Sequence, residues 1–242
     1  MKILINALKN KRKLIFFDLE GTQFSQEIIA IAAIKVTLDA KFNIKKIDKK
    51  GFKQYVKAKD EVGTFVSKLT HITDSQLKKE GITFEKAINL FKSYVGTNPE
   101  EYTFICYGNY DLRLFFNTSH KNDNYGENFI KIISKNCLDF SNFSSTYIKD
   151  NKGNKCSLIE SIVALNETPL TNEHDPLVDT KNLIILFSAF LNKKEEVARE
   201  YKKVLLNYGK YQKPIINILK KLSAGQNVSP QDFDQYINDT FI

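Results

Sequence analysis

Residues 14–17 (LIFF) form a short apolar run closed by charge on both sides, the pattern of a strand buried on both faces. Residues 28–36 (IIAIAAIKV) predict a second strand, although periodicity alone leaves a buried helix open there because of the alanines. Residues 52–56, between Gly51 and lysine-rich sequence, predict a third. Connections this short require the three strands to run largely antiparallel. From residue 69 the pattern turns helical: Thr83 is placed to cap a helix whose stripe is Phe84, Ala87, Ile88, Phe91 and Tyr94, with Gly96 as its stop. A fourth strand at 102–107 precedes Gly108, Asn109 and a helix starting near Asp111, and 137–140 predicts a short fifth strand. The rest reads as helical, first at 157–165 and then in a long stretch at 176–191. In the final fifty residues, 193–207 is a charged amphipathic helix ending at Gly209, Pro214 opens another, and Ser229-Pro230 supplies an N-cap with proline at the first helical position. No internal repeat or low-complexity linker interrupts the chain. The pattern therefore predicts one α/β domain over residues 1–192 and a basic helical appendage over 193–242.

Composition narrows the picture. With 42% hydrophobic and 12% aromatic residues, the 242-residue chain can bury a sizeable core, which excludes a disordered protein. Cys106, Cys137 and Cys156 are widely spaced, make no CxxC pair and cannot all be paired within one chain, which argues against a disulfide framework and a structural zinc site. The basic start has no signal-type apolar segment, and no run approaches the roughly 20 apolar residues of a membrane span. A cytoplasmic protein without a membrane partner is expected. Thirty-six Lys and Arg against 28 Asp and Glu leave a formal charge of +8, which points to a polyanionic partner.

The candidate chemistry lies in the acids. In IFFDLEGT, strand alternation puts Asp18 and Glu20 on one face and Leu19 on the other. Carboxylates this close repel unless a cation or protons intervene. Asp111 follows the strand TFICYGNY at the start of a helix, near the carboxyl edge where ligand sites form in open α/β sheets. In EHDPLVD, His174 precedes an Asp175-Pro176 helix start and Asp179 lies one turn inside. Oxygen donors from three segments suit hard divalent cations, and a pair of such ions about 3.5–4 Å apart can clamp both oxygens of a phosphoryl displacement. Histidine, whose ordinary pKa is about 6.5, suits removal of a proton from water.

In order, FDLEGT, YGNYD and HDPLVD resemble the three motifs of the DEDDh 3′–5′ exonucleases, an RNase H-like superfamily that includes proofreading domains, oligoribonuclease and RNase T. QEIIAIAAIKV resembles that family's second strand and KLTHIT its Leu-Thr-Gly-Ile-Thr stretch, so the likeness spans about residues 12–192. The resemblance implies an RNase H-like fold with a mixed five-stranded sheet, antiparallel at strands one to three, flanked by helices and followed by a helical C-terminal tail. It implies two divalent ions, Mg²⁺ or Mn²⁺: Asp18, Glu20 and Asp179 would hold the first, Asp18 would reach the second, and Asp111 would hold the second through water. His174 would be the general base. The implied reaction is removal of 5′-nucleoside monophosphates from single-stranded RNA or DNA 3′ ends. Thr22, Gln23, Phe24 and His71 are the expected substrate contacts, with Phe24 reading equally well as core and His71 as packing; His71 stands where the family often has glycine, which bears on substrate preference. RNA and DNA remain equally open, as does the homodimerisation found in parts of the family.

Two other readings compete for these motifs. FFDLEGT also resembles the first motif of haloacid dehalogenase-like phosphatases, but the later lysine and acid pair are missing and HDPLVD is left unexplained. A catalytically silent exonuclease-fold module that binds nucleic acid or a protein is the alternative function, yet every expected catalytic position is filled. His120 reads as a solvated loop residue and Cys106 as core. Basic runs at 9–13, 41–59 and 193–221, with Phe52, Tyr55, Tyr208 and Tyr211, could track phosphates and stack on bases.

Overall fold

The computed structural model describes residues 2–171, 174–211 and 213–239. Its strands are β1 (Lys13–Gly21), β2 (Ile28–Leu38), β3 (Ile44–Ile47), β4 (Phe52–Tyr55), β5 (Tyr102–Cys106) and β6 (Cys137–Asp139). Its helices are α1 (Lys2–Ala7), α2 (Thr64–Thr70), α3 (Asp74–Glu80), α4 (Phe84–Val95), α5 (Tyr110–Lys121), α6 (Glu127–Lys135), α7 (Phe140–Ser144), α8 (Leu158–Ala164), α9 (Pro176–Asn192), α10 (Lys194–Asn207), α11 (Lys213–Ser223) and α12 (Pro230–Asn238). Among the described residues no helix is long and apolar enough to cross a membrane.

The strands form one mixed sheet in the order β3-β2-β1-β5-β6, with β4 also paired to β2. As expected, β1–β2 and β2–β4 are antiparallel, while β1–β5 and β5–β6 are parallel. The sheet has six strands and not five. The extra one, β3, has the sequence IKKI and is mostly exposed, so its lysines read as a solvated connection. It pairs with the far end of β2 (Val36↔Ile47), whereas β4 pairs with the near end (Ala33↔Phe52), so the two are halves of one arm along the same edge. Gly51 lies between them at φ +65°, a left-handed conformation that favours glycine, and a Cβ there would come within 3.0 Å of Leu177 Cδ1 and 3.1 Å of the Ala33 carbonyl. The alanine-rich β2 is a strand because both its edges are taken: β1 lies on one side and this arm on the other.

Alternation along β1 divides the core. Leu14 and Phe16 face a cluster with Phe140, Ile162, Leu183, Phe187 and Phe190, under α7, α8 and α9. Ile15, Phe17 and Leu19 face a second cluster with Phe84, Phe91, Phe115 and Phe129, under α4, α5 and α6. A smaller group, with Ile29, Val62, Ile72 and Leu77, lies beneath α2 and α3. Cys106 is fully buried in the second cluster.

Several boundaries follow local chemistry. Thr83 accepts from the Lys86 amide at the start of α4, Ser157 and Glu160 make a capping box on α8, and Ser229 and Asp232 make one on α12. Helix α2 starts at Thr64, ahead of the expected change of pattern, and α1 and α6 are additions to the expected set. In the C-terminal segment, α10 buries Val197 and Val204, and α11 and α12 pack on each other.

The Phe16 and Phe187 rings meet edge to face at 5.1 Å, both fully buried, and join α9 to the central strand. Phe187→Ala is expected to lower the unfolding free energy by about 3–5 kcal/mol, measured as a shift of the urea midpoint at unchanged slope.

Candidate active site

Because Asp18 and Glu20 share the phase of Leu14 and Phe16, they continue that face of β1 toward α9. Asp175 is the N-cap of α9, its Oδ1 accepting from the Leu177 amide at 2.9 Å, and Pro176 sets the first helical position. The helix then fixes Asp179 one turn in. Asp179 Oδ2 accepts from the His174 backbone amide at 2.9 Å, and His174 itself is left-handed at φ 68°. The loop that carries His174 is thus tied at its backbone. One donor atom from each of Glu20, His174 and Asp179 lies within 4.8 Å of the others, all three residues being half-buried.

Asp111 arrives from the opposite layer. The β1–β5 ladder ends at Phe16↔Ile105, and three residues further on the Leu19 amide donates to Asp111 Oδ1 at 2.8 Å. That bond brings the first turn of α5, in which Asp111 is buried, to the end of β1. Gly21 allows the approach: a Cβ there would lie 2.4 Å from Leu114 Cδ2, one turn along the same helix.

The electrostatics are those of an acid cluster. Burial first, then the charges of Asp111, Glu20, Asp179 and Asp175, push the Asp18 carboxyl well above its ordinary range. Burial, Asp179, Asp111 and Asp175 push Glu20 up to about 8. Asp111 is pushed up to about 7, chiefly by burial and opposed by the Leu19 amide. Such a set is poorly served by water and well served by a divalent cation, whose charge opposes these upward pushes. The donors fit a hard metal: carboxylate oxygens from β1, α5 and α9, with one imidazole beside them.

The expected substrate contacts are placed unevenly. Thr22 is fully buried and engaged within the β1–β2 turn, with the Ser25 hydroxyl at 2.7 Å and the Glu27 amide at 3.0 Å. Gln23 ties that turn to the start of α2, its amide donating to the Val62 carbonyl at 2.9 Å and its Oε1 accepting from the Phe65 amide at 3.1 Å. Phe24 is 84% exposed, so it belongs to no core. His71 is exposed at the left-handed end of α2. Phe65, 64% exposed, escaped the sequence reading; an unscreened phenylalanine in the first turn of a short helix, off any apolar stripe, is the signal that marks it.

The basic runs are partly consumed internally. Lys11 bonds the Glu100 carbonyl and Asn136 Oδ1, Lys13 pairs with Glu101, Lys53 with Asp175 and Lys193 with Glu167. Phe52 packs against Phe91 and Tyr94 at 5.5 and 5.4 Å, so this ring serves the core.

Residues 15–187 match the family model described as exonuclease. The chain belongs to the exonuclease family. This exonuclease is similar in fold to the nuclease domain of 3′hExo, a DEDDh family member solved bound to rAMP: TM-score 0.60, 17% identity, covering 77% of this chain and 94% of that one. A full-length 3′-exonuclease gives a TM-score of 0.57 at 17% identity, covering 75% of this chain and 60% of that one. E. coli Exonuclease I, in complex with a dT13 oligonucleotide, gives a TM-score of 0.57 at 17% identity, covering 81% of this chain and 44% of that one. The chain thus spans nearly all of an isolated nuclease domain and about half of the longer exonucleases. Among curated proteins none matches significantly. The likeness to DEDDh exonucleases and the RNase H-like architecture hold, and the protein is a hydrolytic nuclease of a family that generally depends on divalent metals.

Raised carboxyl pKa values fix the sign of a pH effect. A group whose folded pKa exceeds its unfolded one stabilises the fold below the unfolded pKa and loses that contribution as pH rises through the folded pKa. Metal-free protein is therefore expected to lose thermal stability as pH climbs from about 4 toward the values of about 7 and about 8 at Asp111 and Glu20. Adding Mn²⁺ should raise the melting temperature more at the top of this window than at the bottom. A chelator-treated melting series across the window, with and without Mn²⁺, checks both trends.

Proposed function

We propose that the protein is a 3′–5′ exonuclease that removes 5′-nucleoside monophosphates from single-stranded RNA or DNA, using two divalent ions and a histidine base. The observation that carries this reading is the convergence of Glu20, His174 and Asp179 within 4.8 Å, flanked by Asp18 and by Asp111 on the Leu19 amide. Asp18, Glu20 and Asp179 would hold one Mg²⁺ or Mn²⁺, and Asp18 and Asp111 the other. When bound, the ions supply charge stabilisation for the phosphodiester oxygens and orient the attacking water.

The chain's own residues supply the rest. His174 takes the proton of the attacking water, and its backbone bond to Asp179 holds it beside the acid cluster. Helix α9 fixes Asp179, while the antiparallel pairing of β1 with β2 fixes Asp18 and Glu20. Phe24 and Phe65 are the exposed rings of the β1–β2 turn and α2, which Gln23 joins, and they would wall the terminal nucleotide. Their sequence-tolerant stacking suits bases of either nucleic acid. Support for a nucleic-acid substrate comes from the similar folds, one solved with rAMP and one with dT13. The +8 of the chain would hold the strand around a site whose acids are offset by the ions. A cytoplasmic location and a nuclease unit over residues 1–192 with a basic C-terminal appendage complete the proposal.

With a 5′-labelled single-stranded oligonucleotide, the purified protein should shorten the strand stepwise in Mn²⁺ or Mg²⁺ and stop on chelation. His174→Ala should cut kcat by about 10²–10⁴ with the fold intact. Asp18→Ala or Asp179→Ala should abolish turnover and metal binding together. Near-normal rates in Asp18→Ala would overturn the metal assignment, and an inert wild type would favour a binding module.

A further inference from the structure

Lys53 is a half-buried cation bonded to the N-cap residue of α9. Its Nζ lies 2.7 Å from Asp175 Oδ2, at 27% side-chain exposure, and 5.4 Å from the centre of the Tyr55 ring. The other carboxylate oxygen of Asp175 caps α9 through the Leu177 amide, and the Asp175 carbonyl accepts from the Asp179 amide at 2.9 Å. Asp179 in turn accepts from the His174 amide. A continuous series of bonds therefore runs from the edge arm of the sheet through Asp175 to Asp179 and His174.

Three further observations say that this connection positions the site. His174 is a left-handed non-glycine residue, a conformation that persists only where its surroundings impose it. The same arm touches the same turn a second time at Gly51, where a Cβ would come within 3.0 Å of Leu177. Asp175 is also a fifth acid beside the cluster, contributing to the upward push on Asp18 and Glu20, and Lys53 is the cation bonded to it.

We propose that Lys53 is a positioning residue of the nuclease site, which sets the first turn of α9, and with it Asp179 and His174, by holding Asp175. The inference rests on the proposed exonuclease reading for its activity readout and stands apart from it in its structural ones.

Lys53→Met keeps the length and removes the charge; Asp175→Asn keeps an N-cap oxygen and removes the ion pair. These variants, their double and Lys53→Arg are compared in the full-length chain by amide hydrogen exchange over residues 177–180, Mn²⁺ titration calorimetry, and kinetics on the labelled oligonucleotide. Circular dichroism confirms that each is folded. Both single variants and the double should show faster exchange, weaker Mn²⁺ binding and a similar kcat loss of about 10–100-fold. KM should stay within about twofold, and Lys53→Arg should recover most of the loss. If Lys53→Met and Asp175→Asn move Mn²⁺ affinity in opposite directions, charge alone is at work and the proposal fails. It also fails if Lys53→Met raises KM while Asp175→Asn is silent, which would put Lys53 on the substrate. An inactive wild type would overturn the exonuclease reading, and exchange and Mn²⁺ binding would still decide the positioning role.

Discussion

Alternation along β1 is the constraint from which the rest of the molecule follows. A strand buried on both sides must send successive side chains into two different cores, and β1 does so from Leu14 to Leu19. Where the strand reaches its carboxyl end, one of those faces turns from Phe16 to Asp18 and Glu20 without changing direction. The acids are thus aimed by the same geometry that packs Phe16 on Phe187, and α9, which supplies Phe187, also supplies Asp179. Hydrophobic packing does not merely support the site; it brings like charges together against their repulsion. Burial first, and for Asp18 and Glu20 the neighbouring acids as well, push these carboxyls above their ordinary range.

Three layers contribute the four acids, and each layer's contribution is fixed by a different kind of bond. Asp18 and Glu20 rely on the β1–β2 ladder, Asp179 on a capped helix, and Asp111 on a single backbone amide across the layer boundary. A hard cation suits such a set because it asks for oxygen donors and for a fixed cavity, and is indifferent to which element supplies them.

Much of this was legible in the chain because it is local. The Asp18–Glu20 pairing needs only a period of two, and Thr83, Ser157, Asp175 and Ser229 announce their helices within four residues. What sequence concealed is long-range or marginal. The IKKI of β3 is a strand only because β2 offers it an edge. Helix α6 follows a polar stretch that hides its start, although Phe129, Ile130 and Ile133 are buried. Lys53 and Asp175 lie 122 positions apart, and no periodicity connects them. Thr22 shows the opposite case: its place in a motif suggested a surface role, and its hydroxyl is occupied in shaping the turn.

The bond from the Leu19 amide to Asp111 carries one more consequence. Beyond Phe16↔Ile105 the two parallel strands part, and an amide that would otherwise have joined a neighbouring strand is given to a side chain. The sheet's register therefore places an amide that draws the Asp111 carboxyl down against the upward push of burial. A slip of the ladder by a pair of residues would leave the hydrophobic faces in phase, yet it would carry the donor away from the carboxyl group. Only the native alignment therefore brings Asp111 to that amide and completes the acid cluster.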